Sequence, residues 1–365
     1  MIHFVVPAAH AGMMREYLEL WGKDVANRLH VVHSESLPRV SHVAAGTYVL
    51  AALDQHSPPL ALFTRAFHDA LEGHPRVRFL NHSTRTLQRF ALLEELHATG
   101  HNAFRAIRVT GDLRGLRYPV FVRNDSTHDG ALSPLLHTHR EVEAAIGRAL
   151  VAGQAARNLI VVEFCDTADG QGYYRKYSAF VIGDHIVPRS LSYSREWMLK
   201  FQGSEFSSRM AQEEQDYVLQ NPHEESLREL FALAHVNYGR IDYALKDGRI
   251  QTWEINLNPT IGRGLRPSTG KQSPEVSAIR KPTKEHFYRR FREAWDSVNL
   301  AGGDEASIPV VIDERVARDA LTMEPAGDGW LATIRRVLRP AKPLIEPVVR
   351  RALPAIGRAA GRRTQ

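Results

Sequence analysis

Three side chains near the middle of the chain offer oxygen atoms in a pattern that suggests a metal site. Asp242 lies on the β run 240–245, and Glu254 and Asn256 lie on the following run, 250–256. Hard divalent cations such as magnesium prefer oxygen ligands, and in phosphate chemistry they use one or two carboxylates together with the phosphates. The pattern therefore predicts a β-hairpin that holds a divalent cation.

The turn between the two runs decides whether these side chains share one face of the hairpin. A two-residue Asp-Gly turn pairs Asp242 with Trp253. Because side chains alternate along a strand, Glu254 then lies on the opposite face and the site is lost. The predicted site therefore needs a different turn.

A three-residue loop restores the shared face. With Gly248 in the left-handed conformation, such a loop makes a bulge that pairs Asp242 with Thr252 and Arg240 with Glu254. All the polar side chains of the site then point the same way. We predict this register.

Composition indicates an ordinary globular protein. Hydrophobic residues make up 43% and charged residues 24% of the 365 residues. No run approaches the roughly 18 apolar residues that indicate a transmembrane helix. Cys165 is the single cysteine, which excludes an intramolecular disulfide and a cysteine-rich zinc cluster. The first residues, Met1 to Pro7, are typical of a strand and not of a signal peptide, so we expect a cytoplasmic protein.

The positive charge of the chain is concentrated at its C-terminal end. The net charge is +6, but residues 331–365 hold nine basic residues against Glu346 alone, so the rest of the chain carries about −2. No nucleic-acid-binding module accompanies this charge, and no nucleic acid is expected as a partner. The tail is either a solvated, disordered end or a segment that contacts an anionic membrane surface or an acidic partner, since apolar residues interleave with its arginines.

Apolar periodicity predicts a mixed α/β chain. Residues 1–80 alternate short apolar runs with amphipathic segments, which indicates a small α/β domain. A helix is predicted after the cap-type residues 81–84, and a longer helical stretch is predicted from Glu213 to Val236. A last helix, from Lys284 to Val298, precedes a glycine-rich linker.

The hairpin motif resembles a known enzyme family. Tyr238-Gly239-Arg240-Ile241-Asp242, then Asp247-Gly248, then Glu254-Ile255-Asn256-Leu257-Asn258-Pro259 is similar to the metal-binding end of ATP-grasp ligases such as D-alanine:D-alanine ligase and glutathione synthetase. Uncharacterised bacterial glutathione-synthetase-like proteins are also similar, through Tyr174-Arg175-Lys176-Tyr177 and Glu196-Trp197-Met198.

The resemblance covers roughly residues 79–262 and implies an ATP-grasp fold with a preceding domain. The implied limits are an N-terminal α/β domain at 1–80, an ATP-grasp domain at 81–300 with an ATP-lid subdomain (81–160) and a metal-binding subdomain (161–300), and a linker with a basic, proline-interrupted tail at 301–365.

Two arginines stand where the family has basic residues that contact phosphates. Arg89 lies eleven residues before Gly100, the spacing that the family keeps before a helix-ending glycine. Arg123 ends a strand that begins with proline, and the loop after it contains His128 and Gly130. Lysine is usual at both arginine positions, and arginine can hold phosphate through two parallel hydrogen bonds. The other ATP contacts that the resemblance implies are Glu163, Phe164 and Cys165 at the adenine and Asp169 or Asp166 at the ribose. Over the γ-phosphate the resemblance implies a cation from Arg175, Lys176, Arg189 or the stretch 195–200, with Lys200 preferred.

The resemblance also implies a reaction. Asp242, Glu254 and Asn256 would hold Mg²⁺, with Mn²⁺ as an alternative, while Lys200 and Arg240 would act as catalytic cations. A carboxylate would attack the γ-phosphate of ATP to give an acyl phosphate, and an amine or thiol would then displace the phosphate while Arg240 steadies the tetrahedral intermediate.

The expected partners are a small-molecule or peptide carboxylate and an amine acceptor, neither identified by the motif, and a homodimer is left open. An ATP-grasp phosphotransferase and a catalytically reduced nucleotide-binding scaffold remain alternative functions.

Overall fold

Short, mostly apolar runs such as Ile2–Val6, in which His3 is the polar exception, suit strands that are covered on both faces. The computed structural model describes residues 1–127, 130–198, 207–261, 273–300 and 306–322, and it confirms the mixed α/β class. Its first sheet is parallel, with strand order β2-β1-β4-β5. The elements of this part are β1 (Ile2–Val6), α1 (Gly12–Leu20), β2 (Leu29–His33), β3 (His42–Ala44), β4 (Gly46–Leu50), α2 (Pro58–Leu71) and β5 (Val77–Leu80).

The next part of the chain forms a small antiparallel sheet with two helices. The strand order is β6-β8-β7, and the central strand is buried along its whole length. The helix α4 begins at a capping box, in which Thr138 and Glu141 satisfy each other's backbone N–H groups. The elements are α3 (Arg89–Ala98), β6 (Ala106–Arg108), β7 (Val120–Asn124), α4 (His139–Val151) and β8 (Leu159–Glu163).

A second antiparallel sheet contains the hairpin. Its strand order is β10-β9-β11-β12, so β11 lies between β9 and the strand to which it is connected in sequence. The elements are β9 (Tyr174–Ile182), β10 (His185–Ser194), α5 (Ser208–Gln220), α6 (Glu224–Leu233), β11 (Tyr238–Lys246), β12 (Arg249–Asn256), α7 (Pro274–Ser297), β13 (Ala306–Pro309) and α8 (Glu314–Thr322).

Two helix predictions differ from the structure for local reasons. The stretch predicted as helical from Glu213 to Val236 is two helices, because Asn221 takes a left-handed conformation at the end of α5 and Pro222 cannot continue the helix. The helix predicted from Lys284 begins ten residues earlier, where Ser273 accepts a hydrogen bond from the Val276 N–H and Pro274 suits the first helical position.

The C-terminal region differs in part from the predicted linker and tail. Residues 306–309 form β13, which pairs antiparallel with β3, and α8 follows. Contacts divide the chain into two units, Met1–Ala320 and Leu321–Gln365, and of the second the structure describes residues 321 and 322. The basic tail therefore lies outside the described residues. Within the described ranges, none of the helices combines the length and the apolar character needed to cross a bilayer.

Aromatic side chains of α7 join the parallel sheet to the hairpin sheet. The ring of Trp295 lies 6.5 Å from Phe4 on β1 and 5.5 Å from Tyr238 on β11. Phe291 lies 5.0 Å from Phe180 on β9. Both α7 side chains are fully buried, and burying an aromatic side chain contributes about 2 to 3 kcal/mol. This shared core fixes the parallel sheet against the strand on which Asp242 lies.

A single asparagine ties the same two sheets together by hydrogen bonds. The buried Asn81, after β5, donates through Nδ2 to the carbonyls of Leu50 (3.1 Å) and Tyr238 (2.8 Å). Its Oδ1 accepts from the backbone N–H groups of Asn237 (3.1 Å) and Tyr238 (3.0 Å). Asparagine suits this position because it tolerates the left-handed backbone, here with φ 64°. The link fixes the start of β11.

We expect Asn81→Ala to lower the free energy of unfolding by about 3 kcal/mol or more, because it leaves several buried backbone groups without partners and keeps a strained φ. Urea unfolding monitored by circular dichroism measures the change. Asn27→Ala, at an exposed asparagine, serves as the control and should change stability by less than about 0.5 kcal/mol. A loss below about 1 kcal/mol for Asn81→Ala would contradict the assignment.

Candidate functional site

The hairpin register brings Asp242 directly opposite Glu254, and Arg240 directly opposite Asn256. Residues that face each other across an antiparallel pair share a face of the sheet, and so do residues two apart on one strand. The four side chains of the predicted site therefore point the same way. The predicted pairings of Asp242 with Thr252 and of Arg240 with Glu254 are wrong.

The turn and the position of the bulge explain this difference. The connection is a two-residue turn, with Asp247 at φ 51° and Gly248 at φ 74°, because Asp-Gly readily adopts positive φ at both positions. The bulge lies within β12, where Trp253 is the extra residue between the pairs Asp242–Glu254 and Tyr243–Thr252. One extra residue in β12 moves every later side chain of that strand to the opposite face of the sheet. Glu254 therefore lies on the same face as Asp242.

Contacts from distant parts of the chain hold the bulge in place. Asn102 donates to the Thr252 carbonyl (2.8 Å) and accepts from the Thr252 N–H (2.9 Å), which fixes the residue before the bulge. The ring of Trp253 stacks 5.9 Å from Phe104. The register of the site thus depends on the segment 102–104.

Asp242 is buried and is held by two cations. Arg240 donates through Nε to Oδ1 (2.9 Å) and through Nη2 to Oδ2 (3.3 Å), while Lys176 Nζ lies 3.2 Å from Oδ2. Arg240 also donates to the carbonyl of Thr260 (3.2 Å), which fixes the direction of its guanidinium group. Sequence reasoning counted Lys176 among the cations expected over the γ-phosphate, but it did not predict Asp242 as its partner, because the two lie 66 residues apart.

Glu254 is paired with both predicted phosphate-contacting arginines. Arg89 Nη2 donates to Oε2, and Arg123 Nη2 lies 3.6 Å from the same oxygen. Burial, together with the neighbouring charge of Arg89, lowers the pKa of Arg123 to about 10, so Arg123 remains charged at neutral pH. Its Nε is buried with no hydrogen-bond partner among the described residues.

Asn256, the third predicted metal ligand, accepts a hydrogen bond from the Asn258 N–H (2.9 Å) through its Oδ1.

Glu163, which is predicted to contact adenine, is buried, and its carboxylate is hydrogen-bonded to two arginines. Its carboxylate accepts from Arg105 Nε (2.8 Å) and from Arg117 Nε (3.0 Å) and Nη2 (2.7 Å). Burial alone would raise the pKa of Glu163, but the hydrogen bonds from Arg117 and Arg105 outweigh it and lower that pKa. Both carboxylate oxygens are thus engaged by arginines that sequence reasoning missed. Its role toward adenine stays a prediction.

Cys165 and Phe164 belong to an aromatic cluster beside the hairpin. Cys165 is buried with Trp253 and Trp197, and Phe164 lies 5.8 Å from Trp197. Burial raises the pKa of the Cys165 thiol, which disfavours the reactive thiolate and suits a lining residue. The cluster is apolar, and the contact of Phe164 and Cys165 with adenine stays a prediction.

Two other predicted contacts, Asp169 and Arg189, have structural partners of their own. Asp169 accepts from the N–H groups of Tyr173 (2.9 Å) and Gln171 (2.8 Å) and pairs with Arg175; the Tyr173 bond is the largest of the effects that lower its pKa to about 2. The buried Arg189 donates to the Ile261 carbonyl (3.3 Å), beside the carbonyl that Arg240 holds. Gly130 takes φ 91° in the loop after β7. His128 and Lys200 lie outside the described residues.

A second group of potential metal ligands lies away from the hairpin. His68, Glu72 and His82 have ligand atoms within 4.8 Å of one another. Nδ1 of His82 accepts from the backbone N–H groups of Thr84 (3.1 Å) and Arg85 (3.2 Å), so a neutral ring carries its proton on Nε2, the atom 3.9 Å from Glu72. This nitrogen would have to lose its proton before it could ligate a metal, so we assign no metal to this group.

Comparisons with known proteins give a consistent but distant likeness. No protein-family model matches the chain, and no curated protein matches it either. D-alanine–D-alanine ligase from Bacillus anthracis complexed with ATP is similar at a TM-score of 0.44 and 10% identity, over 81% of this chain and 99% of that chain. The D-alanine–D-alanine ligase from Coxiella burnetii gives 0.43 and 11%, over 82% and 97%. An L-amino acid ligase from Bacillus licheniformis gives 0.34 and 14%, over 70% and 66%. At these values the chemistry of the site rests on this chain's own side chains.

We expect Glu254→Gln to lower the free energy of unfolding by about 3 kcal/mol, because two mostly buried guanidinium groups lose the carboxylate between them. Urea unfolding without nucleotide or added metal measures this. Glu293→Gln, in an exposed pair with Arg290, is the matched control and should cost less than about 1 kcal/mol. Equal, small losses for the two variants would show that Glu254 does not hold the arginines.

Proposed function

We propose that the chain is an ATP-dependent ligase that joins a carboxylate to an amine through an acyl phosphate. One observation carries the proposal. On one face of the hairpin, Asp242 lies opposite Glu254 beside Asn256, and cationic side chains from three other strands or helices converge on the two carboxylates. Oxygen ligands surrounded by cations suit a metal–polyphosphate complex better than either component alone.

The residues fit the divalent cation that the reaction requires. Two carboxylates and an amide oxygen form a hard oxygen set, which suits Mg²⁺, with Mn²⁺ as an alternative. The cation, when bound by Asp242, Glu254 and Asn256, supplies positive charge that neutralises phosphate oxygens. The buried, charged guanidinium of Arg123, which lies 3.6 Å from Glu254 and beside Arg89, supports an anionic ligand at the same place.

The first step is a transfer of the γ-phosphoryl group. An oxygen of the substrate carboxylate bonds to the γ-phosphorus as the bond to the bridging oxygen of ADP breaks, which leaves an acyl phosphate and ADP. Arg123 and Lys176 neutralise the charge that spreads over the phosphoryl oxygens. The protein contributes orientation and electrostatics, and no side chain forms a covalent bond with the substrate.

The second step forms the amide. The amine nitrogen attacks the acyl carbon, a tetrahedral intermediate forms, and inorganic phosphate leaves as the nitrogen loses a proton. Arg240 is the candidate for stabilising the oxyanion, because Asp242 and the Thr260 carbonyl hold its guanidinium in a fixed orientation. A donor fixed in advance needs no reorganisation when the charge develops.

The proposed binding place of the acid and the amine is where the parallel sheet meets the hairpin. The Ala52 N–H, after β4, donates to the Leu257 carbonyl (3.2 Å), and Asn258 Nδ2 donates to the His10 carbonyl (3.0 Å), after β1. These are the carboxyl ends of adjacent parallel strands, the edge at which α/β sheets bind ligands. Which acid and which amine bind there is not indicated by these residues.

We expect release of ADP when the protein is given Mg²⁺, ATP and a screen of amino acids, peptides and sugar acids crossed with amine acceptors. Asp242→Asn should reduce turnover by at least about 10³-fold with the fold intact, because it removes a carboxylate from the metal site. Asp184→Asn, in the turn between β9 and β10, is the matched control and should retain activity.

Product analysis separates the alternatives. Phosphate on the acceptor without a new amide would indicate a phosphotransferase. Binding of Mg·ATP in a calorimetric titration without turnover of any pair would favour a nucleotide-binding scaffold. Absence of both binding and ADP release would refute the proposal.

A further inference from the structure

The terminal guanidinium nitrogens of Arg89 donate hydrogen bonds to other groups of the protein. Nη1 donates to three backbone carbonyls of the loop after β7, those of Asn124 (3.3 Å), Asp125 (2.7 Å) and Thr127 (2.7 Å). Nη2 donates to Glu254. The side chain is 5% exposed, so these contacts form away from bulk water, where hydrogen bonds to a charged group are strong.

A second side chain holds the remaining carbonyl of the same stretch. Gln55, after β4, donates through Nε2 to the carbonyl of Ser126 (3.0 Å) and to Asp54 Oδ2 (2.6 Å). The four consecutive carbonyls from residue 124 to residue 127 are therefore all held by Arg89 and Gln55. Two N–H groups of this stretch are also paired, Asp125 with the Asn158 carbonyl (2.9 Å) and Ser126 with Asn124 Oδ1 (2.9 Å).

The orientation of these carbonyls matters for an anionic ligand. A carbonyl oxygen carries partial negative charge and repels phosphate, whereas loops that bind phosphate present N–H groups and cations. Holding four carbonyls against Arg89 and Gln55 keeps their negative ends fixed in one direction. The carbonyls held by Arg89 and Gln55 are then kept from turning toward a phosphate bound nearby.

The residue type is informative at this position. Arginine has five N–H donors in a planar fork, and it can serve several carbonyls and a carboxylate at once. Lysine, which is usual at the corresponding position of the family that the chain resembles, has three donors on one nitrogen and acts as a point charge. A direct phosphate contact would be satisfied by either residue, but the contacts observed here need arginine.

We propose that Arg89 is a positioning residue, which orders the phosphate-binding loop through its carbonyls and Glu254, and that it is not itself a ligand of the ATP phosphates. The proposal rests on the proposed function in one respect, that the loop's ligand is the phosphate chain of ATP. It replaces the role that the sequence resemblance implies for Arg89, and it leaves Arg123 as the arginine that faces the phosphates.

The test compares Arg89→Lys with two other variants in two measurements. Hydrogen–deuterium exchange of peptides covering residues 120–127, without nucleotide, reports the order of the loop. Calorimetric titration with Mg·ATP reports binding. Gln55→Ala removes one of the carbonyl contacts without touching Arg89, and Arg85→Lys is the matched control at an exposed arginine four residues earlier.

We expect Arg89→Lys to speed exchange at Asp125 and Ser126 at least tenfold and to raise the Kd for Mg·ATP at least tenfold. Gln55→Ala should change both in the same direction by a few-fold, and Arg85→Lys should change neither. Circular dichroism checks that each variant is folded; if Arg89→Lys fails to fold, Gln55→Ala carries the test.

Exchange at the wild-type rate in Arg89→Lys, whether or not binding weakens, would overturn the proposal, because the loop would then be ordered without arginine. Wild-type affinity together with faster exchange would also overturn it, since loop order would not matter for binding. If the unaltered protein fails to bind Mg·ATP, the proposed function fails, but the exchange comparison still decides whether Arg89 orders the loop.

Discussion

The pairing of two hairpin carboxylates with cations from other parts of the chain is the interaction on which the site depends. Asp242 holds Arg240 and Lys176, and Glu254 holds Arg89 and Arg123. Charges that are taken out of water cost several kcal/mol each unless a counter-charge and hydrogen bonds replace the water. The helix α3 and the strands β7 and β9 must therefore meet at the hairpin for any of these residues to be buried at low cost. The same requirement brings the parts of the proposed phosphate site together.

The bulge at Trp253 is the geometric condition for that pairing. Without an extra residue in β12, the two-residue turn would place Glu254 on the face away from Asp242, and its partners Arg89 and Arg123 would lose their carboxylate. Bulges are found next to active sites because they redirect a side chain without changing the rest of a sheet. Here the redirection is maintained by packing and by the hydrogen bonds of Asn102, and both lie outside the hairpin itself.

The arginines of this chain illustrate how one residue type can serve different purposes. Arg123 is buried and charged beside Glu254 and Arg89. Arg105 and Arg117 fix a carboxylate in the strand β8. Arg89 and Arg189 hold backbone carbonyls of loops. The planar fork of arginine can satisfy several acceptors at once, so one residue type can both order loops and neutralise buried carboxylates.

The sequence by itself determined the mixed α/β class, the hairpin and the oxygen-ligand set of Asp242, Glu254 and Asn256, because periodicity along the chain and the oxygen preference of hard cations are local properties. It predicted that these side chains share one face of the hairpin, but it did not determine how they come to share it. The Asp-Gly pair formed the two-residue turn that its local preference favours. Glu254 reaches the face of Asp242 because of a bulge at Trp253, whose position depends on Asn102 and Phe104, about 150 residues earlier. The partners of Arg89 and Glu163 were likewise decided by tertiary structure. The partners of a charged side chain are set by which groups the fold brings close to it. The spacing of residues along the chain does not indicate which carbonyls or guanidinium groups will lie within about 3 Å.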